Sequence, residues 1–236
     1  MPIYALVDDL VFPDPLRADP SGVLAIGGDL SPQRLAVAYN LGIFPWPCDD
    51  LPLMWHSPSL RFVLPLSQLR INRTLAKVLK RKTFRITLDM AFAQVIRACQ
   101  ATPRPGQDGT WITEEVVTGY RGLHQMGLAH SVEAWLGDEL VGGLYGVHVG
   151  GCFTGESMFA RQDDASKVAF VTLARQLQRW GGTMVDCQVF TPHFEALGAT
   201  LWLRRKFLSE LAQCRRLQFP QGPWALDADL AAGATW

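Results

Sequence analysis

Three polar residues stand in runs that are otherwise apolar: Asp186 and Gln188 in "TMVDCQVF", and Glu156 in "CFTGESMF". A carboxylate in such a setting is costly unless a partner or a purpose holds it there. Read as a strand, 183–190 puts Met184, Asp186, Gln188 and Phe190 on one face. Val185, Cys187 and Val189 alternate onto the other, which is wholly apolar and expected in a core. The first face sets an acid and a carboxamide between Met and Phe, the mixture from which binding pockets are made. Glu156 and Met158 share a face in the same way. On pattern alone a satisfied buried polar network accounts for both strands equally well.

Other chemistries lack their residues. Ser157 in "GESMF" has no second glycine to form a nucleophile elbow. The chain contains no Walker loop, no G-x-G-x-x-G after a strand and no H-E-x-x-H. His56, His124, His130, His148 and His193 lack metal spacing, so no metal site is expected. The five cysteines (Cys48, Cys99, Cys152, Cys187 and Cys214) are scattered without a C-x-x-C pair, which points to free thiols in a reducing compartment.

Composition bounds the rest. The chain has 236 residues, 48% hydrophobic and 19% charged, enough for one large domain or one with a small addition. Formal net charge is zero, yet from Arg61 to Arg104 there are ten Lys/Arg and one acid, Asp89. Such a segment suggests an anionic partner at one place, or simply a solvated helix face. The N-terminus carries three acids, Asp8, Asp9 and Asp14, and no basic leader, and no run approaches the ~20 apolar residues of a membrane span. A cytoplasmic protein is expected.

The elements that must position these residues can be read in outline. Residues 1–60 are punctuated by Pro and Gly and are expected to form a small N-terminal α/β domain. It holds one helix, with Ser31 as N-cap, Pro32 in the first turn and Gly42 as stop. A long aromatic loop, "GIFPWPCDDLPLMWHSP", should follow with Trp46 and Trp55. Residues 61–236 alternate helix and strand, a mixed α/β or α+β class, and the resemblance given below implies α+β with a mixed central sheet. "NRTLAKVLKRK" reads as an amphipathic helix, "FRITL" as a strand, and Asp89 as the cap of "MAFAQVIRACQ". A turn-rich "TPRPGQDGT", a helix ending at Gly127, two or three strands over 129–159 and a helix over 166–180 come next. Strand 183–190, a short helix in "HFEALGA" and "TLWLRRKFLSEL" as strand or helix complete the order.

This order resembles the GNAT acyltransferase superfamily, in which two parallel strands splay apart around the acyl donor. Members that use acetyl-CoA hold its pyrophosphate on glycine-rich backbone amides at a helix start. The corresponding "ARQDDAS" has no glycine and two acids, Asp163 and Asp164, which argues against CoA. The segments "GGDLSPQRLAVAYNLGIFPWP", "GTWITEEVVTGYRGLHQMGLAHSVEAW", "ELVGGLYGV", "FTGESMF", "ASKVA" and "DCQV" are together similar to the leucyl/phenylalanyl-tRNA–protein transferase family.

That resemblance implies transfer of leucine or phenylalanine from aminoacyl-tRNA to proteins beginning with Arg or Lys, marking them for N-end-rule degradation. It implies no cofactor, and a monomer is expected. Trp46 and Trp111 match tryptophans that hold the terminal adenosine. Leu144, Phe153, Met158, Phe170, Leu173 and Val185 match the aminoacyl side-chain pocket. Where relatives carry Leu then Phe on the pocket helix, this chain has Phe170 then Leu173, leaving the Leu/Phe preference open. Arg73, Lys77, Lys80, Arg81 and Lys82 are candidates for the tRNA backbone surface. The family's relay from Asp186 through Gln188 is best read as orientation, because an amide oxygen is too weakly basic to keep a proton. Asp186 would then orient Gln188 or take the proton through water, and Glu156 would recognise the cationic acceptor. A GNAT N-acetyltransferase and a non-catalytic tRNA-binding module are the alternatives.

Overall fold

A computed structural model describes residues 3–48, 51–103 and 110–232. Most of the expected turn at 102–110, residues 1–2 and 49–50 and the last four residues lie outside these.

The first sixty residues build a four-stranded mixed sheet in the order β1-β2-β4-β3. Its strands are β1 (Tyr4–Leu6), β2 (Val23–Gly27), β3 (Phe44–Trp46) and β4 (Met54–His56). Helix α1 (Pro32–Asn40) begins where expected, with the Ser31 hydroxyl accepting from the Arg34 N–H at 3.4 Å. It stops at Gly42, whose φ of 73° suits glycine and whose missing Cβ would lie 2.6 Å from Leu208. The expected aromatic loop is instead a hairpin: Phe44 pairs with His56 and Trp46 with Met54. Backbone pairing fixes Trp46, and Trp55 is fully buried.

A seven-stranded mixed sheet follows, ordered β11-β5-β10-β9-β8-β7-β6. It comprises β5 (Leu60–Pro65), β6 (Arg85–Leu88), β7 (Ala129–Leu136), β8 (Glu139–Val149), β9 (Cys152–Ala160), β10 (Met184–Asp186) and β11 (Thr200–Leu203). Helices α2 (Arg73–Arg81), α3 (Phe92–Ala101), α4 (Glu114–Gln125) and α5 (Ala165–Arg179) precede α6 (Pro192–Ala196), α7 (Arg204–Cys214) and α8 (Ala228–Ala231). One face of the sheet packs on Val95, Ile96, Val116 and Tyr120 of α3 and α4, in a core shared with Leu35 and Tyr39 of α1. The other packs on Leu75 and Leu79 of α2 and on Val168, Phe170 and Leu173 of α5.

Two expectations are corrected here. Asp89 does not cap α3, whose N-cap position is Ala91. It sits at φ 57°, and its carboxylate accepts from the Ser131 N–H at 2.9 Å and the Trp224 N–H at 2.7 Å while meeting His130 at 2.7 Å. Trp224 also lies flat on His130, with ring centroids 3.5 Å apart. The C-terminal tail, to which the sequence assigns no role, is thus pinned across the sheet by a buried acid.

Strand 183–190 is also shorter than its alternation suggests. β10 ends at Asp186, Gln188 takes a left-handed φ of 60°, and Val189 and Phe190 are exposed rather than alternately buried. β9 and β10 are parallel and pair over three residues only, Cys152–Thr154 with Met184–Asp186. Beyond them β9 continues along β8 to Ala160 while the β10 chain turns away. The gap between the two is the cleft.

Candidate active site

Glu156 owes its position to a β-bulge. Tyr145 pairs with Ser157 and Gly146 with Gly155, so Glu156 is the extra residue of β9 and has no partner across the ladder. Bulges re-aim side chains in this way, and this one turns Glu156 into the cleft. The Tyr120 hydroxyl, from α4, donates to its Oε2 at 3.0 Å, and the Tyr39 hydroxyl, from α1, stands in short contact with that of Tyr120. The Gln188 Nε2 donates to Oε1 at 2.9 Å. Burial pushes the Glu156 carboxyl up to about 7 against the opposing pull of the two tyrosines. Burial also raises both phenols well above their ordinary value, so near neutral pH they remain protonated donors.

Gln188 is set by a turn rather than a strand. Its own N–H donates to Asp186 Oδ1 at 2.9 Å, and the Val189 N–H closes the turn on the Cys187 carbonyl at 2.7 Å. A left-handed φ on a non-glycine residue is strained, costing on the order of 1 kcal/mol, and persists where surrounding contacts dictate it. Because the amide nitrogen is spent on Glu156, the amide oxygen is left to accept from whatever enters the cleft.

Asp186 is wholly buried and does not reach the Gln188 side chain. Arg61 grips it with Nε on Oδ1 at 2.7 Å and Nη2 on Oδ2 at 2.6 Å. Thr154 adds a hydroxyl to Oδ2 at 3.3 Å. The guanidinium lies 4.5 Å from the ring centroids of both Phe44 and Phe207 and donates to the Gly42 carbonyl at 3.2 Å. With both oxygens doubly engaged, Asp186 braces the backbone of Gln188 and has no face toward the cleft. Removing one member of such a pair typically costs ~3–5 kcal/mol.

The cleft encloses about 320 Å³. Trp46 and Trp111 both line it, Glu156 and Gln188 form its polar part, and Leu144, Met158 and Phe170 are among its apolar lining. Phe153, Leu173 and Val185 do not line it; they are buried in the core behind. Reading the sequence as regular strands and an even helix face missed Phe44 and Phe194, which do line it. Phe194 packs edge-on to Phe170 with centroids 4.9 Å apart, and the ring in "HFEALGA", just past the polar strand, was the available signal. A second cavity, of about 390 Å³, opens between α2 and β6 beside Lys82 and Arg85. Its lining holds no acid, carboxamide or imidazole, which leaves the chemistry in the smaller cleft.

Arg73, Lys77, Lys80, Arg81 and Lys82 are all exposed on or just after α2. Among the described residues none of them forms an ion pair. Leu75 and Leu79 anchor the opposite side of the helix in the core. At the start of α5, Asp164 takes a left-handed φ of 65° and pairs with Lys167 at 2.6 Å.

Residues 63–212 match the family described as leucyl/phenylalanyl-tRNA protein transferase, and 28–59 match that family's N-terminal domain. A leucyl/phenylalanyl-tRNA–protein transferase of Myxococcus xanthus is 53% identical over 95% of this chain and 97% of its own. One from an Anaeromyxobacter species is 50% identical over 99% and 100%, and one from Syntrophotalea carbinolica is 54% identical over 89% and 92%. Among solved structures, a functionally unknown conserved protein from Staphylococcus epidermidis overlays with a TM-score of 0.42 at 12% identity, covering 77% of this chain and 68% of that one. That likeness is too distant to carry an argument. Matched along nearly its whole length, the chain belongs to the leucyl/phenylalanyl-tRNA–protein transferase family.

Proposed function

We propose that the cleft transfers leucine or phenylalanine from aminoacyl-tRNA to the α-amino group of proteins that begin with Arg or Lys, marking them for degradation. The observation that carries this reading is the meeting of Glu156 and Gln188, 2.9 Å apart, in a cleft walled by two tryptophans and ending in an apolar pocket. The terminal adenosine stacks on Trp46 and Trp111, as single-stranded ends do on aromatic rings at ~1–3 kcal/mol per base. The leucyl or phenylalanyl side chain enters the pocket of Leu144, Met158, Phe170 and Phe194. The cations on α2 hold the phosphate backbone.

In the reaction the acceptor nitrogen attacks the ester carbonyl, a C–N bond forms and the C–O bond to the ribose breaks. The proton lost by the amine replaces the acyl group on the ribose oxygen. An α-amino group has an ordinary pKa of about 7.7–8.0, so a neutral fraction exists near pH 7 and positioning supplies much of the acceleration. Glu156 attracts the cationic end of the acceptor. With its carboxyl at about 7, it also exchanges a proton with that amine at little cost. Gln188 Oε1 accepts from the amine and aims its lone pair, and Asp186 is a positioning residue.

Residues 1–60 are read as a small N-terminal domain and 61–236 as a GNAT-like domain. The first sheet, confined to 4–56, and the splay of β9 from β10 support this. Among the described residues no helix is long and apolar enough to cross a membrane. A monomer working in the cytoplasm, where charged tRNA is found, completes the reading. No cofactor is called for.

The test is Glu156→Gln, assayed with Leu-tRNA and an Arg-initiated peptide beside acetyl-CoA as competing donor. The expected result is an acceptor KM raised at least about tenfold, with aminoacyl-tRNA Kd within about twofold of the parent. Equal losses on both sides would remove the role given to Glu156, and transfer from acetyl-CoA would move the chain's chemistry elsewhere.

A further inference from the structure

The outermost strand of the large sheet has an uncovered apolar face. β11 pairs with β5 so that Leu201 stands beside Phe62 and Leu203 beside Leu60, all four on one side. Leu60, Leu201 and Leu203 are 47%, 50% and 68% exposed. Phe190, 50% exposed, covers Phe62 with ring centroids 5.2 Å apart. Val189, its neighbour in the chain, is exposed and lines the cleft. Single exposed apolar residues need no explanation, but a contiguous set at a sheet edge marks a contact surface. Edge strands are ordinarily protected by charges, prolines or bulges, and Thr200–Leu203 has none of these.

The occupant follows from the size of the cleft and from the strip's continuity with it through Val189 and Phe190. A cavity of about 320 Å³ is on the scale of a small-ligand pocket rather than a peptide groove. On the function proposed above, Trp46 and Trp111 belong to the donor, and the acceptor is a polypeptide of which one residue fits inside. Val189 lines the cleft and Phe190, next to it in the chain, packs on Phe62, so the strip is apolar surface continuous with the cleft and available to the rest of the acceptor chain. We infer that the strip of Leu60, Phe190, Leu201 and Leu203 docks the extended segment following the acceptor's first residue, with a preference for apolar side chains there. Four extended residues reach ~13 Å, the length of β11 itself.

The inference rests on that function and is tested so that the two can fail separately. Arg-initiated peptides of equal length, with Leu/Val/Phe or Ser/Gly/Asn following, are compared with arginine amide as the shortest acceptor. In the parent protein the apolar-tailed peptide is expected to show a KM about tenfold below the polar-tailed one. The double variant Leu201→Thr/Leu203→Thr should lose this difference while using arginine amide and Leu-tRNA as the parent does. If that variant also loses activity on arginine amide, Leu203→Thr alone replaces it. A tail-independent KM in the parent, or a preference that survives both substitutions, overturns the inference and leaves the function standing. So does a dimer, seen by sedimentation, that the substitutions dissolve, because the strip would then belong to a second copy. Failure to transfer to any acceptor, arginine amide included, sinks the proposed function and this inference with it.

Discussion

The two donors on Glu156 are unequal in origin: Tyr120 reaches it from a helix packed on the sheet, whereas Gln188 reaches it from across the cleft. Burial raises the Glu156 pKa, and Tyr39 and Tyr120 pull it back toward the ionised form. Removing the phenol in Tyr120→Phe takes away one donor to the carboxylate, so the Glu156 pKa should move above about 7. An acid that must be ionised to act is lost as pH falls through its pKa. The acidic limb of kcat/KM should therefore shift to higher pH, with little change above pH 9. A profile that does not move would show that the limb belongs to the acceptor amine alone. At Gln188 the backbone supplies the second test. Glycine accepts a φ of 60° without strain, so Gln188→Gly should hold or slightly raise Tm while kcat falls by at least about a hundredfold. A fall in both would mean that the side chain is chiefly structural.

At the scale of elements, α2 is the clearest separation of roles along a short stretch of sequence. Its buried leucines alternate with cations that meet only solvent. Each phosphate contact removed should lower the slope of log K against log salt by about 1. Lys77→Glu with Lys80→Glu is therefore expected to weaken tRNA binding, flatten its salt dependence by about 2, and leave Tm and acceptor KM unchanged. An unaltered slope would place the tRNA elsewhere.

Helices of this kind were legible because caps and 3.6-residue periodicity are local properties. Ser31, Gly42 and Gly127 end or begin helices where the sequence puts them. The site was legible in residue types more than in geometry. Strict alternation cannot register a bulge, so it puts Glu156 on a regular strand face, while the resemblance puts Phe153 in a pocket that it lies behind. Nor can alternation register a strand that stops four residues early, at Asp186 rather than at 190, and so it assigns Val189 to a core. The partner of Asp186 was hidden for another reason: Arg61 lies 125 residues away and looked like part of a basic surface.

For the whole molecule, the first sixty residues are not an appendage to the cleft. Tyr39 of α1 stands behind Tyr120, and Phe44 and Gly42 close over the Arg61 guanidinium. The amino-terminal sheet therefore helps set both the carboxyl that meets the acceptor and the ion pair beneath Gln188. The far end of the chain adds a second clasp, with Arg179 reaching Asp227 at 3.0 Å and the Gln176 side chain accepting from the Asp227 N–H at 2.8 Å. The order of strands has a further consequence, in time rather than in space. β5 is made early, but both its neighbours, β10 and β11, are made late. While the chain is being synthesised, Arg61 is a cation without its acid and Leu64 an apolar side chain without its sheet. Ribosome-held chains arrested before residue 184 has emerged should be cut readily around β5, and chains extended past 214 should resist. Early resistance would mean that β5 finds other company first. Otherwise the cleft stays incomplete until β10 and β11 have emerged, and a half-made chain cannot load amino acids onto the proteins around it.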